Sequence, residues 1–134
     1  MELAVNARPS SEWSWFVNYS YQADPDVKGI PAAEINLPPT NRANAGAPWD
    51  RGTFFLNGSV NYQDEAVWRD ILDARYWGPT DSFTSINASA GVRVNEKTTI
   101  SVTGTNVMNE KIQQHVFGDI ISRKVTAQIR FRLP

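Results

Sequence analysis

The stretch KVTAQIRFRL, which runs from Lys124 to Leu133, decides the fold because apolar and polar residues alternate along it. A period of two separates two faces only in an extended strand, whereas a helix repeats every 3.6 residues. The same alternation predicts three further strands: Trp13 to Gln22, Thr53 to Tyr62 and Thr84 to Val94. Weaker alternation predicts three more strands, which brings the total to seven: Glu2 to Ala7, Arg42 to Ala47 and Thr98 to Val107. The chain is therefore expected to be all-β.

The connections between these predicted strands alternate in length. Short turns at residues 8–11, 48–52 and 95–97 are rich in residues that tight turns favour. The remaining connections are long: residues 23–41, 63–83 and 108–123. Compact soluble domains seldom contain several structureless loops of more than about 12 to 15 residues. Short turns on one side and long loops on the other are the normal asymmetry of transmembrane barrels.

The composition of the 134-residue chain, 41% hydrophobic and 20% charged, is that of one modest folded domain. A formal net charge of −1 gives no electrostatic reason to expect nucleic acid as a partner, because phosphate neutralisation needs clustered Lys and Arg. With no cysteine, disulfides and thiol chemistry are excluded. No apolar run approaches the roughly 20 residues of a membrane-spanning helix, and the first residues lack the features of a signal peptide.

Three features indicate which face of the predicted sheet points outward. Aromatic residues such as Trp15, Trp49 and Tyr62 concentrate near strand ends, as they do in the girdles of membrane barrels. The apolar sides carry small residues such as Ala88, which fill a soluble core poorly. Cations such as Arg130 are costly against lipid but not in a watery lumen. We therefore expect an antiparallel transmembrane β-barrel segment of about seven strands, with short periplasmic turns and long extracellular loops.

The odd strand count predicts an incomplete barrel. Bacterial single-chain barrels have an even number of antiparallel strands, and an open edge in a bilayer leaves backbone groups unsatisfied at several kcal/mol each. The chain is therefore expected to form part of a larger barrel.

Two alternatives remain open. One is a small complete outer-membrane barrel of about eight strands with a structural or adhesion role, and the other is a soluble β-sandwich or ligand-carrying barrel.

Several motifs resemble the C-terminal barrel region of TonB-dependent outer-membrane receptors. The most specific is the asparagine-rich strand end TGTNVMNE, Thr103–Glu110, followed by the loop His115–Asp119 and the last alternating strand. Three further segments match in the same order: Asn41–Gly46, Trp68–Tyr76 and Gly78–Phe83. The resemblance covers essentially the whole chain. It implies that residues 1–134 are the C-terminal portion of such a barrel, with the plug and the N-terminal strands absent.

The resemblance implies active uptake of a scarce nutrient, such as a ferric siderophore, vitamin B12 or a sugar, across the bacterial outer membrane. Ligand binds the extracellular loops and a plug in this family, and energy arrives through the contact of that missing plug region with TonB. The implied partners are outer-membrane lipid, the barrel-assembly machinery and an unidentified nutrient. Phe131 and Leu133 are the implied C-terminal signal for barrel assembly. Family members usually end on an aromatic residue, whereas Arg132, Leu133 and Pro134 follow Phe131 here.

Four residues of the long connections are candidate ligand contacts. Trp68, Tyr76 and Trp77 offer aromatic rings on which a ligand can stack, although strands that extend past the membrane place aromatic residues there equally well. His115 is the only histidine, and it has no partner at metal-ligand spacing. We therefore predict that His115 is a solvated loop residue, in preference to a metal or siderophore contact.

Acidic residues cluster in the second long connection, but their spacing is not that of a calcium loop. They are Asp64, Glu65, Asp70, Asp73 and Asp81, with Arg69 and Arg75 interleaved. A surface salt-bridge patch is the predicted arrangement. The sequence contains no glycine-rich phosphate loop and no Ser-His-Asp constellation in a plausible context. We therefore expect no enzyme, no cofactor and no metal site.

Overall fold

The computed structural model describes residues 1–25, 27–31, 34–69, 73, 75 and 77–133. Its nine strands are β1 (Glu2–Ala7), β2 (Trp15–Tyr21), β3 (Asn41–Asp50), β4 (Phe54–Gln63), β5 (Ala66–Trp68), β6 (Gly78–Thr80), β7 (Phe83–Asn95), β8 (Thr98–Thr105) and β9 (Lys124–Phe131). Within those described ranges, no helix has the length and apolar character to cross a membrane. The expectation of an all-β chain is confirmed.

Seven of the strands form one antiparallel sheet in the order β1-β2-β3-β4-β7-β8-β9. Each corresponds to one strand predicted from alternation. The short strands β5 and β6 form a separate two-stranded sheet inside the second long connection. They were not predicted, because three residues are too few to show a period of two, and Pro79 in β6 argues against a strand.

The connections of the large sheet differ at its two ends. At one end, here called the short-turn end, the strands are joined by residues 8–14, 51–53 and 96–97. At the other, the long-loop end, they are joined by residues 22–40, 64–82 and 106–123. The predicted alternation in loop length is therefore confirmed. The predicted turn at residues 48–52 was placed too early, because Pro48 remains in β3 opposite Asn57. Its carbonyl accepts a hydrogen bond from the N–H of Ser14 at 3.2 Å, so Pro48 still contributes to the hydrogen-bonding pattern.

Register separates the sheet into two faces that keep their character across neighbouring strands. The apolar face includes the directly paired row Trp49, Leu56, Ala90, Val102 and Ala127. The polar face includes the row Asn57, Ser89, Thr103 and Thr126. Because side chains of successive residues point to opposite sides of a sheet, every strand contributes to both faces.

The apolar face has no second layer of described residues against it. Leu56 is 52% exposed, Val102 47% and Ile129 60%. The buried hydrophobic residues of the described chain are Ala66, Phe83 and Ile112, all in or next to the long connections. The sheet thus lacks the interior that a β-sandwich forms by covering such a face.

The sheet is open, since β1 and β9 each pair with one neighbour. Seven strands that alternate in direction leave these two edges running the same way. Direct pairing of β1 with β9 would therefore be parallel. A closed, fully antiparallel arrangement needs an odd number of additional strands between them.

Three aromatic residues of the described sheet lie on the polar face, among side chains that are mostly polar: Phe16, Phe55 and Phe83. Phe16 covers Gly46 on the adjacent strand so closely that a Cβ at Gly46 would lie 2.6 Å from the ring. Phe55 covers Gly91 in the same way. The guanidinium of Arg93 lies 5.0 Å from the centre of the Phe55 ring, at cation-π distance. Gly46 and Gly91 make room for the Phe16 and Phe55 rings, which pack across neighbouring strands.

Candidate functional site

An open pocket of about 600 Å³ lies on the polar face at the long-loop end. Its floor includes the carboxamide row, in which Asn18, Asn44 and Asn61 are directly opposite one another on β2, β3 and β4. The adjacent charged row contains Glu2, Ser20, Arg42 and Gln63, again in direct register. Gln114, from the third long connection, also lines the pocket. Strand register and one loop thus bring together polar side chains that are far apart in sequence.

Most of these polar side chains make no hydrogen bond or ion pair with the part of the chain that the structure describes. Asn18 Nδ2 donates to Asn44 Oδ1 at 2.7 Å. Among described residues, the side chains of Arg42, Asn61 and Gln63 make no hydrogen bond or ion pair with the chain. Each carboxamide offers two donors and an acceptor. The pocket therefore presents hydrogen-bonding groups to whatever fills it.

Trp68 lines a neighbouring pocket of about 330 Å³, which shares Arg42 with the first. Its indole Nε1 donates to Thr80 Oγ1 at 3.3 Å, and its backbone pairs with Gly78. The paired backbone groups of Leu37 and Val67 join the first and second long connections, with N–H to carbonyl distances of 2.9 Å in both directions. Loop pairing therefore fixes the position of the Trp68 ring.

His115 packs against Trp68, with ring centroids 4.3 Å apart. Its Nδ1 accepts a hydrogen bond from the backbone N–H of Phe117 at 3.2 Å, and the two rings stack at 5.3 Å. Two of the four predicted ligand contacts thus meet, although they come from different connections. Trp77 is 41% exposed. Tyr76 lies outside the described residues.

Asn106 fixes the start of the third long connection. It is 2% exposed and has a positive φ of 49°, in the left-handed region that Asn tolerates. Its Nδ2 donates to the carbonyls of Glu110 at 2.7 Å and Ile121 at 3.1 Å, and its Oδ1 accepts from the Glu110 N–H at 3.1 Å. Its own N–H donates to Asn87 Oδ1 at 3.0 Å. The asparagine-rich strand end is therefore a structural clamp on the loop that carries Gln114 and His115.

Asp64 connects the ends of β3 and β4 beside the pocket. Its carboxylate accepts hydrogen bonds from the Tyr62 hydroxyl at 2.5 Å and from Asn41 Nδ2 at 2.6 Å. The Tyr62 hydrogen bond, followed by that of Asn41, holds the pKa of Asp64 below its usual value. Tyr19 donates to Asn41 Oδ1 at 2.6 Å, which extends the network to β2.

The other predicted features are placed as follows. Asp73 and Arg75 form an ion pair at 2.6 Å, while Asp70 lies outside the described residues. No group of three or more His, Cys, Asp or Glu in the described ranges is arranged to hold a metal ion.

Phe131 is 67% exposed at the end of β9, and Leu133 follows it at 84%. Their role as an assembly signal stays a prediction, as do the ligand contacts.

The sequence reasoning missed the carboxamide row. Part of its signal was present, because Asn18 and Asn61 fall on the polar sides of two strongly alternating strands, whereas Asn44 lies in a strand whose alternation is weak. Only the register, which sequence alone does not supply, places them side by side.

No protein-family model matches the chain, and searches of curated proteins and of solved structures find no match either.

Proposed function

We propose that the chain forms part of the wall of a bacterial outer-membrane β-barrel, with its apolar face against lipid. The observation that carries the proposal is an apolar face that extends across seven strands without a covering layer of described residues. Large exposed apolar surfaces are rare on soluble monomers and mark contact with a membrane or another protein. We propose lipid as that contact because of the aromatic residues at the two ends of this face.

Aromatic residues bound the apolar face at both ends. The ring centroids of Trp13 and Trp49 lie 6.4 Å apart at the short-turn end, and Phe54 on β4 lines the same surface groove as Trp49. Tyr19 and Tyr62 lie at the long-loop end, with hydroxyls bonded to Asn41 and Asp64. Rings with one apolar side and one polar tip suit the interface between lipid and water.

The spacing of these aromatic rows fits a bilayer. Phe54 and Tyr62 are on the same face of β4 and are separated by eight residue steps. At about 3.4 Å per residue, the two residues are about 27 Å apart along the strand. A strand tilt of about 40° reduces this to about 20 Å along the membrane normal. The apolar band of outer-membrane barrels is about 25 Å tall, which is close to these two lengths.

Charged side chains of the large sheet point to the polar face. Arg93 donates to both carboxylate oxygens of Asp50, at 2.8 and 2.7 Å. Lys124 and Arg130 lie opposite Thr105 and Thr99 on the same face. A water-filled lumen tolerates these groups, whereas hydrocarbon does not. The polar face is accordingly proposed to line the lumen.

Within this class, the proposed protein is a TonB-dependent transport receptor that takes up a scarce nutrient. The proposal rests on the sequence resemblance, whose most specific motif contains Asn106. Additional antiparallel strands are proposed to pair with the edges of β1 and β9. A plug region that contacts TonB would supply gating and energy, and no catalytic role is proposed for the chain.

The test is to compare the protein in detergent micelles with the protein in plain buffer. We expect monodisperse particles with β-sheet circular dichroism in detergent, and aggregation without it, because the apolar face then meets water. Folded, monodisperse protein in plain buffer would contradict a lipid-facing surface.

A further inference from the structure

We propose that the polar-face pocket, continued past Arg42 to Trp68, binds a neutral oligosaccharide. The inference rests on the proposed function, since it names the class of nutrient that such a barrel would transport. It replaces the ferric siderophore with a ligand whose chemistry matches the groups that line the pocket.

The carboxamide row provides the first part of the argument. Asn18, Asn44 and Asn61 repeat at the strand spacing, about 4.8 Å, in one direct line across three strands. Sugar hydroxyls are both donors and acceptors, and carboxamides offer both functions on one rigid plane. With Asn61 and Gln63 bonded to no described residue, these groups are available to a ligand.

The charge of the pocket provides the second part. Among the residues that the structure describes, its lining contains one cation, Arg42, and one anion, Glu2, so the formal charge of that lining is zero. An anionic ligand such as a ferric tris-catecholate would be favoured by several converging cations. Lys124 and Arg130, which form no ion pair with a described residue, are on β9, separated from β3 by three strands. A neutral ligand therefore fits the pocket better than an anion.

Trp68 provides the third part. It lines the pocket that shares Arg42 with the carboxamide pocket, and its Nε1 bond to Thr80 fixes its ring. Aromatic rings offer apolar area beside hydrogen-bonding groups, which suits the faces of sugar rings. The two pockets, about 600 and 330 Å³, are each within the usual range for ligand sites, about 300 to 1,000 Å³.

The experiment measures binding by calorimetry to the full chain in micelles of dimethyldodecylamine oxide, a detergent without sugar. The probes are maltohexaose, cellohexaose and a trianionic ferric tris-catecholate. Asn61→Ala removes one free carboxamide from the pocket. Asn57→Ala is the matched control, because Asn57 has the same chemistry on the same face of β4 but lies outside the pocket. Circular dichroism verifies that both variants fold.

We expect at least one hexasaccharide to bind, with affinity about fivefold weaker in Asn61→Ala, the loss of roughly one hydrogen bond, and unchanged in Asn57→Ala. Trp68→Ala should also weaken binding. The proposal is overturned if neither hexasaccharide binds at millimolar concentration, if both Asn variants behave alike, or if the tris-catecholate binds more tightly. These failures leave the membrane assignment intact, since solubility without detergent tests that separately.

Discussion

Leu56 and Asn57 are neighbours on β4, yet they belong to surfaces of opposite chemistry. Leu56 continues an apolar row across five strands, while Asn57 lies in a row of Ser and Thr side chains. In a soluble sandwich the apolar face is covered by a second sheet. Here no layer of described residues covers the apolar face, so its exposure departs from that of a soluble core. The difference teaches that alternation indicates two environments and that a second observation must identify what each face contacts.

The largest expected effect comes from placing a cation on the apolar face. Val60→Arg, near the middle of that face, should lower the free energy of unfolding in lipid vesicles by about 2–4 kcal/mol, because a lipid-facing cation loses its hydration. Asn57→Arg, on the polar face, is the control and should change it by no more than about 0.5 kcal/mol. Urea titration measures both. Equal losses in the two variants would contradict the assignment of faces.

Loss of the buried clamp is next in size. Asn106→Ala leaves the carbonyls of Glu110 and Ile121 without their donor and should cost about 2–3 kcal/mol. Asn109→Ala, at an exposed residue that accepts one hydrogen bond from the Arg123 N–H, should cost less. Urea titration compares the two variants, and hydrogen exchange should show faster exchange in residues 106–123 of Asn106→Ala. If Asn109→Ala costs as much, Asn106 is not the clamp.

Glycines on the two faces should respond differently to an added methyl group. Gly91→Ala would force the Phe55 ring off the sheet and should cost about 1–2 kcal/mol. Gly58→Ala, on the apolar face of the neighbouring strand, meets nothing within 4 Å and should be nearly neutral. Thermal unfolding of the two variants measures the difference. A neutral Gly91→Ala would show that the ring contact contributes little.

The smallest expected effect is the pH dependence that Asp64 contributes. Because its pKa is lowered in the folded chain, its stabilisation is present above the unfolded pKa, about 3.9, and is lost as pH falls through the folded pKa. Tyr62→Phe removes the leading hydrogen bond and should raise the pKa of Asp64 towards its ordinary value. Tyr19→Phe is the control, since Tyr19 bonds Asn41 instead. Carbon-detected NMR titration of the carboxyl group follows each variant, and equal shifts in both would contradict the stated cause.

The sheet was predictable because seven segments each carry a local signal, the alternation that begins with Lys124 to Leu133. The three-residue strands β5 and β6 carry no such signal, and Pro48 was assigned to a turn although β3 continues through it. The candidate site was predictable only in part. Trp68 and His115 were chosen for their chemistry, but their 4.3 Å contact depends on loop packing, and the carboxamide row depends on register. Non-local geometry of this kind is not encoded in short sequence windows.

The lipid exposure of the apolar face is tested most directly by spin labels at single cysteines, for which the cysteine-free chain provides a clean background. The labels are placed at Val60→Cys on the apolar face and Asn57→Cys on the polar face, with the protein in lipid vesicles. Paramagnetic resonance then measures collisions with oxygen, which concentrates in hydrocarbon, and with a water-soluble nickel complex. We expect the Val60→Cys label to meet oxygen and the Asn57→Cys label to meet nickel. Nickel access at both labels, or the reverse pattern, would contradict the lipid-facing assignment.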